Sequence, residues 1–362
     1  MGIEIEFLPT GNDSGDAIVI REGNDLFGHN IHVVDGGYTA TSDTIIEHIE
    51  QYYGKDATIT HMVLSHADDD HATGLIKVFE RFPVTHLWMN RPWLHVAEVM
   101  QHFHGNYTQQ GLYDDMRDLH PYLIKLEELA EQKNKQTLFP TTIHDVFQGD
   151  LIGSFRVLAP SRNRYISLIP DLPKTPKKIK SETPGILSGL FAEAKETVKN
   201  YLEEKWDVET LSSNPQPPTG ASNESSVVQM AVVNNKRYLL TADVGPDGLN
   251  EAADFAQALG LLSPPDFVQV PHHGSRHNVT PAVLDRWLGE RVAEGTERGI
   301  AFASVGKNRT EHPRAQVSNA FRRRGYPVHT MRTMVKRHNE GMGGRDGWVA
   351  SVAEPFKYEV EA

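Results

Sequence analysis

Residues 64–74 read Leu64-Ser65-His66-Ala67-Asp68-Asp69-Asp70-His71-Ala72-Thr73-Gly74, with two histidines framing three consecutive carboxylates. So many anionic groups in so short a stretch repel one another unless a cation neutralises them. Neutral imidazole and ionised carboxylate together are the donors a divalent metal takes. An ordinary solvated acidic turn would account for Asp68 to Asp70. It would not account for the flanking histidines, nor for the apolar run Ile59 to Leu64 in front of them. Further along, Asp243 follows Leu239-Leu240-Thr241-Ala242, and the pair His272-His273 follows Phe267 to Val270. Each of these stretches puts ligand-type residues at the tip of an apolar strand, an arrangement that assembles a site from loops on one edge of a rigid sheet.

The elements that must position these residues follow from periodicity and turn chemistry. Ile3 to Leu8 alternates apolar and acidic residues and suits a half-buried strand. Ala17 to Ile20 and Ile31 to Val34 are further strands, the latter ending at Asp35-Gly36-Gly37. A helix capped by Ser42 or Asp43 runs to Tyr52-Tyr53, and an apolar helical segment, Leu75 to Phe79, follows the acidic loop. Residues 92–135 read as mostly helical, and His95, His102 and His104 within them are expected on the surface or in a lid. Strands resume at Phe155 to Leu158, Val227 to Val233, Arg237 to Leu240, Phe267 to Val270 and Ile300 to Val305, with helices at Leu249 to Leu261, Pro281 to Leu288 and Ala315 to Arg324. Tyr326 to Met331 and Trp348 to Val352 are expected as closing strands. Between them, residues 160–222 change texture. A Pro-, Lys- and Ser-rich start carries the basic run Lys174 to Lys180, and an amphipathic pattern capped at Thr183-Pro184 repeats through Tyr201 and Leu202. This stretch is expected to be an inserted helical arm or lid on a single domain spanning 1–362. Lys174 to Lys180 fits a solvated linker as well as a phosphate contact.

Composition narrows the class. The apolar fraction of 39% and charged fraction of 23% are those of a globular chain, and no run approaches the ~18–20 apolar residues of a membrane span. The N-terminus lacks a basic segment followed by an apolar one, so a cytoplasmic location and no membrane partner are expected. With no cysteine, disulfides and thiolate sites are excluded. Most of the 18 histidines are expected at the surface. A net charge of −12 argues against a broad footprint for duplex DNA but not against a small phosphorylated substrate.

The run His66-x-Asp68-x-Asp70-His71-x-x-Gly74 resembles the metallo-β-lactamase-fold signature, with Asp68 where the second histidine usually stands. Together with Gly15-Asp16-Ala17, Asp35-Gly36 and Ser304-Val305-Gly306-Lys307-Asn308 followed by His312-Pro313, it is similar to the ComEC-type metallo-hydrolase domain. The resemblance implies an α/β fold, a four-layer αββα sandwich, carrying two divalent metal ions, zinc or manganese. His66 and Asp68 would hold the first ion and Asp70 with His71 the second. Asp243 would bridge them, and His273 is the favoured last ligand. His272 is left to proton transfer or to the second shell. No histidine stands where the family's third first-site ligand falls; Asn223-Glu224-Ser225-Ser226 occupies that region, so the first site is oxygen-rich and suits Mn²⁺ or Mg²⁺. The implied activity is hydrolysis of a phosphodiester in DNA, RNA or a nucleotide by a metal-activated hydroxide. Asp70 would orient the nucleophile, His272 or His312 would protonate the leaving oxygen, and Lys307, Ser275 and Asn223 would contact substrate. Hydrolysis of a non-nucleic phosphodiester, an ester or an amide is the alternative, as is a degenerate metal-containing binding module.

Overall fold

The computed structural model describes residues 1–24, 26, 28–103, 107–177 and 201–361. In chain order β1 (Gly2–Phe7), β2 (Ala17–Asn24) and β3 (Gly28–Gly36) are followed by α1 (Thr41–Tyr52), β4 (Ile59–Val63), α2 (Asp69–Arg81) and β5 (Val84–Trp88). The short α3 (Val96–Val99), α4 (Gln109–Asp118) and α5 (Pro121–Asn134) lead to β6 (Thr142–His144), β7 (Leu151–Ile152), β8 (Phe155–Ala159) and α6 (Arg162–Leu168). Then come β9 (Tyr201–Glu203), α7 (Ala221–Glu224), β10 (Val228–Val233), β11 (Lys236–Leu240), α8 (Pro246–Ala258) and β12 (Phe267–Gln269). The chain ends with α9 (Pro281–Leu288), β13 (Ile300–Ser304), α10 (Ala315–Arg323), β14 (Val328–Met331), β15 (Lys336–Glu340) and β16 (Glu359–Glu361).

Among the described residues two seven-stranded sheets form, in the orders β15-β1-β2-β3-β4-β5-β6 and β14-β13-β12-β11-β10-β8-β7. Each is antiparallel in one half and parallel in the other; β3 to β6 are parallel in the first sheet and β11 to β14 in the second. Three apolar cores separate four layers. Val19, Val33 and Met62 pack with Ile45, Leu75 and Leu126 under the helices of the first sheet. Ile5, Phe7, Val157 and Phe302 fill the space between the sheets. Leu239, Val268 and Ala301 meet α8, α9 and α10. This is the αββα sandwich, and burial on both faces explains the nearly continuous apolar run of β13.

Several expectations change on contact with the structure. β1 is buried along its whole length rather than half-exposed: Glu4 and Glu6 have no solvent exposure. Arg21, Arg337, Arg345 and His48 cover them, with Glu4 taking Arg21 at 2.7 Å and Glu6 taking His48 at 2.9 Å. Trp348 to Val352 is not a strand. The closing strand is β15, Lys-Arg-His-Asn-Glu, an edge whose polar sequence carries no apolar alternation and whose Arg337 answers Glu4. Neither Ser42 nor Asp43 caps α1.

The proposed insertion helix lies mostly at 178–200, outside the described residues. Its last positions, Tyr201 and Leu202, are strand, paired antiparallel with Glu361 and Val360. Beyond it, Glu204 and Arg323, both without exposure, pair at 2.5 Å, and Leu211 joins the core of the second helical layer. His104 also lies outside the described residues. His102 is exposed, but His95 is buried against the edges of Phe147 and Tyr165.

The histidines are less superficial than composition suggested. His32, His61, His86 and His144 stand on adjacent strands β3 to β6, with His61 and His86 stacked at 5.2 Å and His86 Nδ1 3.1 Å from His144 Nε2.

Candidate metal centre

The strand tips meet at one edge of the sandwich. α2 can begin there because two glycines touch. A Cβ on Gly74 would lie 1.9 Å from the Gly36 carbonyl oxygen, and one on Gly36 would lie 2.4 Å from the Leu75 nitrogen. With both side chains absent, the first turn of α2 seats Asp70 and His71 beside the end of β3. The backbone is held in the left-handed region at four of the tips: Asp35 (φ 58), Ala242 (φ 45), His272 (φ 46) and His273 (φ 57). Such conformations cost on the order of 1–3 kcal/mol each and collect at functional sites.

Six sequence-predicted ligands come together. His66, His71, Asp243 and His273 are buried, and Asp70 is half-buried. Asp243 Oδ2 stands 3.5 Å from His71 Nε2 and 3.8 Å from His273 Nε2, and His273 Nε2 stands 3.8 Å from Asp70 Oδ2. Asp68 lies 3.5 Å from His66 Nε2, and its other oxygen accepts the Ser222 hydroxyl at 2.6 Å. Three ligand atoms lie within 4.8 Å of one another in His66–His71–Asp243, in Asp70–His71–His273 and in Asp243–His272–His273. Among the described residues Asp68 belongs to none of these sets. His272, assigned from sequence to proton transfer, does, with Nε2 3.5 Å from Asp243 Oδ2.

The supporting residues fix which ring nitrogens face inward. Asp35 accepts the Ser65 N–H at 2.7 Å and the Ser65 hydroxyl at 2.6 Å, and its Oδ2 is 2.7 Å from His71 Nδ1. His71 Nδ1–H therefore donates to Asp35 and leaves Nε2 for the cluster, the carboxylate–histidine pairing common behind metal ligands. Asn278 donates its amide N–H to the Asp243 carbonyl at 2.7 Å, so its oxygen, 2.9 Å from His272 Nδ1, accepts from that ring. Gln269 accepts from the Thr241 and Ala242 N–H groups and donates to buried Asp16, tying the two sheets together beneath the site. Asp16 and Asp35 were visible in the sequence as parts of motifs, though not as site residues. Gln269, Asn278 and Ser222 carried no local signal.

Electrostatics fit a cation. Burial pushes Asp243 up, but the surrounding His272, His71 and His273 outweigh it and hold the carboxyl well below its usual range. Burial pushes His273 down, but Asp243, Asp70 and Asp16 lift it to about 9, and His71 is raised the same way by Asp243, Asp35 and Asp70. The cluster thus calls for positive charge. His66 Nε2, His71 Nε2, His273 Nε2 and Asp243 Oδ1 are buried with no hydrogen-bond partner among the described residues. Orphaned imidazole nitrogens beside carboxylates are the donor set of a divalent ion.

The outer residues separate. His312 is brought to the cluster because Gly274 packs on Pro313; a Cβ there would lie 2.3 Å from Pro313 Cβ. Burial, with His273 and Arg314 nearby, pushes His312 down to about 3. Asn223 reaches His272 Nδ1 at 3.1 Å. Lys307 is exposed on a loop whose backbone pairs with Gly11 and Asn12. The Ser275 hydroxyl is buried and accepts the His277 N–H at 3.3 Å within its own turn.

The Metallo-beta-lactamase superfamily model matches residues 10–288, and with this fold and this cluster the chain belongs to that superfamily, a class of metal-dependent hydrolases. No curated protein sequence matches it. Solved structures similar to it include Zn²⁺-bound PqqB from Methylobacterium extorquens, at 11% identity and a TM-score of 0.41 over 93% of this chain and 99% of that one. A diphosphatase of the PhnP family is similar at 8% identity and a TM-score of 0.32, covering 82% and 85%. A subclass B3 metallo-beta-lactamase from a soil metagenome library is similar at 14% and 0.29, covering 78% and 85%. Among the described residues no helix is long and apolar enough to cross a membrane.

Proposed function

We propose that the protein is a metal-dependent phosphodiesterase acting on DNA, RNA or a nucleotide. The observation that carries this reading is the position of Asp243. One of its oxygens stands 3.5 Å from both His71 Nε2 and His272 Nε2 and 3.8 Å from His273 Nε2. A carboxylate common to several ligand sets suits a pair of ions. Asp70, His71 and His273 would hold one, and His66 with Asp68 the other, with His272 in reach of Asp243. Such a pair, when bound, activates water near neutral pH and takes up charge on phosphoryl oxygens. The oxygen-rich side at Asp68 suits manganese better than an all-imidazole set would, alongside zinc.

The chain's own residues supply position and proton handling. Asp35 and Asn278 hold the His71 and His272 rings with Nε2 inward. His312, neutral at physiological pH, has a buried Nδ1 with no partner among the described residues. There it would meet the leaving oxygen, and His272 or His312 would handle the proton that oxygen takes up. Lys307, exposed and without an ion-pair partner among the described residues, would steady a substrate phosphate. The loop motifs that resemble ComEC-type domains support the nucleic-acid side of the reading.

The test is a hydrolysis screen with Mn²⁺ and Zn²⁺ across single-stranded DNA, duplex DNA, RNA, cyclic dinucleotides and a generic aryl phosphodiester. Turnover is expected with at least one nucleic substrate and is lost in Asp70→Ala and Asp243→Ala. Equal rates in both variants would assign the chemistry elsewhere. Cleavage confined to carboxylic esters or amides would replace the substrate class.

A further inference from the structure

Arg332 follows β14 at the same end of the parallel strands β11 to β14 as Asp243 and the His272-His273 pair. The Val305 N–H donates to the Met331 carbonyl at 3.0 Å, so Arg332 emerges beside the loop that leaves β13. That loop, residues 305–314, carries Lys307 and His312 and folds as two consecutive turns. The Arg309 N–H donates to the Gly306 carbonyl at 3.0 Å, and the His312 N–H donates to the Arg309 carbonyl at 3.2 Å. Turns that close over three residues, one after another, bring the carbonyls of residues 306, 309 and 312 within reach of one donor group. The Arg332 guanidinium takes all three. Its Nη1 donates to the Gly306 carbonyl at 3.4 Å and the Arg309 carbonyl at 3.0 Å, and its Nη2 donates to the His312 carbonyl.

The two ends of the loop have other anchors. Lys307 and Asn308 donate their N–H groups to the Gly11 and Asn12 carbonyls at 2.8 and 3.1 Å, and the Gly306 N–H donates to Ser14 Oγ at 3.1 Å. A Cβ on Gly306 would lie 2.3 Å from the Asp13 carbonyl carbon, so the two backbones touch. Past His312, Pro313 lies against Gly274, and the Arg314 N–H donates to the Gly274 carbonyl at 3.0 Å. The turn between these anchors ends in His312, and Arg332 ties it to the sheet.

We propose that Arg332 is the positioning residue of His312. By gathering three carbonyls of one loop it sets where the imidazole meets the leaving oxygen, without touching substrate itself. The assignment rests on the phosphodiesterase reading for the role of His312, and it adds what holds that residue in place. A guanidinium suits the task because its planar fork donates in several directions from one rigid group. A lysine ammonium on a flexible stem does not reproduce this. Arg332 stands 20 positions from His312 and reads only its backbone, so nothing in the sequence of the loop points to it.

The experiment compares two phosphodiesters with the Mn²⁺-loaded wild type, Arg332→Ala and Arg332→Lys. The p-nitrophenolate of bis(p-nitrophenyl) phosphate leaves without a proton, whereas the more basic phenolate of diphenyl phosphate gains from one. Arg332→Ala should lower kcat about 10–100-fold for diphenyl phosphate, the cost of a small misplacement, and about 2-fold or less for the nitro ester. In a His312→Ala background the same change should add about 2-fold or less for either ester, because the group it positions is gone. Arg332→Lys should show a smaller loss with the same selectivity, and it decides the matter if the alanine variant fails to fold. Hydrogen exchange of the same proteins is read alongside. The amides of residues 306–312 should exchange about 10-fold faster in Arg332→Ala, with β13 and β14 unchanged. Equal losses on the two esters, full additivity with His312→Ala, or unchanged exchange at 306–312 would each overturn the proposal. No turnover of either ester by the wild type would instead sink the hydrolytic reading, and the exchange rates would then decide the anchoring by themselves.

Discussion

At the scale of single residues the site depends on side chains that touch no ligand. Asp35 accepts two hydrogen bonds from Ser65 and one from His71. In Asp35→Asn one of its acceptors becomes a donor, and His71 loses the charge that fixes its ring. Metal affinity, titrated against a competing chelator, is expected to fall about 10–100-fold with the melting temperature little changed. Undiminished affinity would show that the ring is held by packing alone. A second residue-scale prediction lies away from the site. Burial, aided by His32 and His86, pushes His61 down to about 3, against about 6.5 in an unfolded chain. Between these values the unfolded state binds a proton that the native state does not, so stability falls as pH drops from 6 to 4. His61→Gln keeps an acceptor for the Trp88 indole N–H, 3.2 Å away in the wild type, and removes that proton. Its urea-derived stability should lose about 1.4 kcal/mol less per pH unit than the wild type over this range; parallel slopes would contradict it. Most of the clustered residues could be picked out from the sequence because the candidate loop concentrates its histidines and carboxylates in a few adjacent positions. Asn278 and Gln269 were not, because an isolated amide has no sequence signature and gains its role from a neighbour 35 or 253 positions away.

At the scale of elements, the contact between α2 and the end of β3 sets the geometry of the whole cluster. Gly74→Ala would drive a methyl group to within 1.9 Å of the Gly36 carbonyl oxygen, a backbone atom that a rotamer change cannot clear. Helix α2 must shift, taking Asp70 and His71 with it. The expected result is a loss of about 1–3 kcal/mol in urea unfolding together with most of the bound metal by elemental analysis. Full metal retention would mean the loop tolerates the shift. A strand with an apolar run, such as β13, was readable because burial on both faces writes itself into the sequence. β15 was not. Its side chains are chosen to neutralise Glu4 and to serve as an edge, so no apolar alternation marks it. β1 shows the converse: its alternation was seen, but the arginines that bury its acidic face come from β2, β15 and the chain beyond. Tyr201 and Leu202 fitted a helical repeat and became strand because Val360 and Glu361 offer them backbone partners.

At the scale of the molecule, charge separates what can be held from what can be cut. A net charge of −12 leaves little to neutralise a long row of phosphates, and sequence-independent clamping of duplex DNA depends on doing so. Near the candidate centre the balance is local. The cluster draws positive charge, as the raised His71 and His273 indicate, and Lys307 is exposed on the neighbouring loop. These features fit an enzyme that engages a nucleotide, a short oligonucleotide or a single-stranded end, a few phosphates at a time. Each phosphate neutralised by the protein contributes roughly 0.7 to the logarithmic salt slope for a single strand and 0.9 for a duplex. For the cleaved substrate, log kcat/KM plotted against log salt between about 50 and 200 mM should therefore have a slope no steeper than about −2, the value for two or three contacts. Extending an oligonucleotide beyond a few residues should leave kcat/KM unchanged. A slope several times steeper, with a preference for long duplexes, would place the binding energy along the nucleic-acid backbone. It would require a basic track outside the cluster, which the acidic balance of the chain argues against.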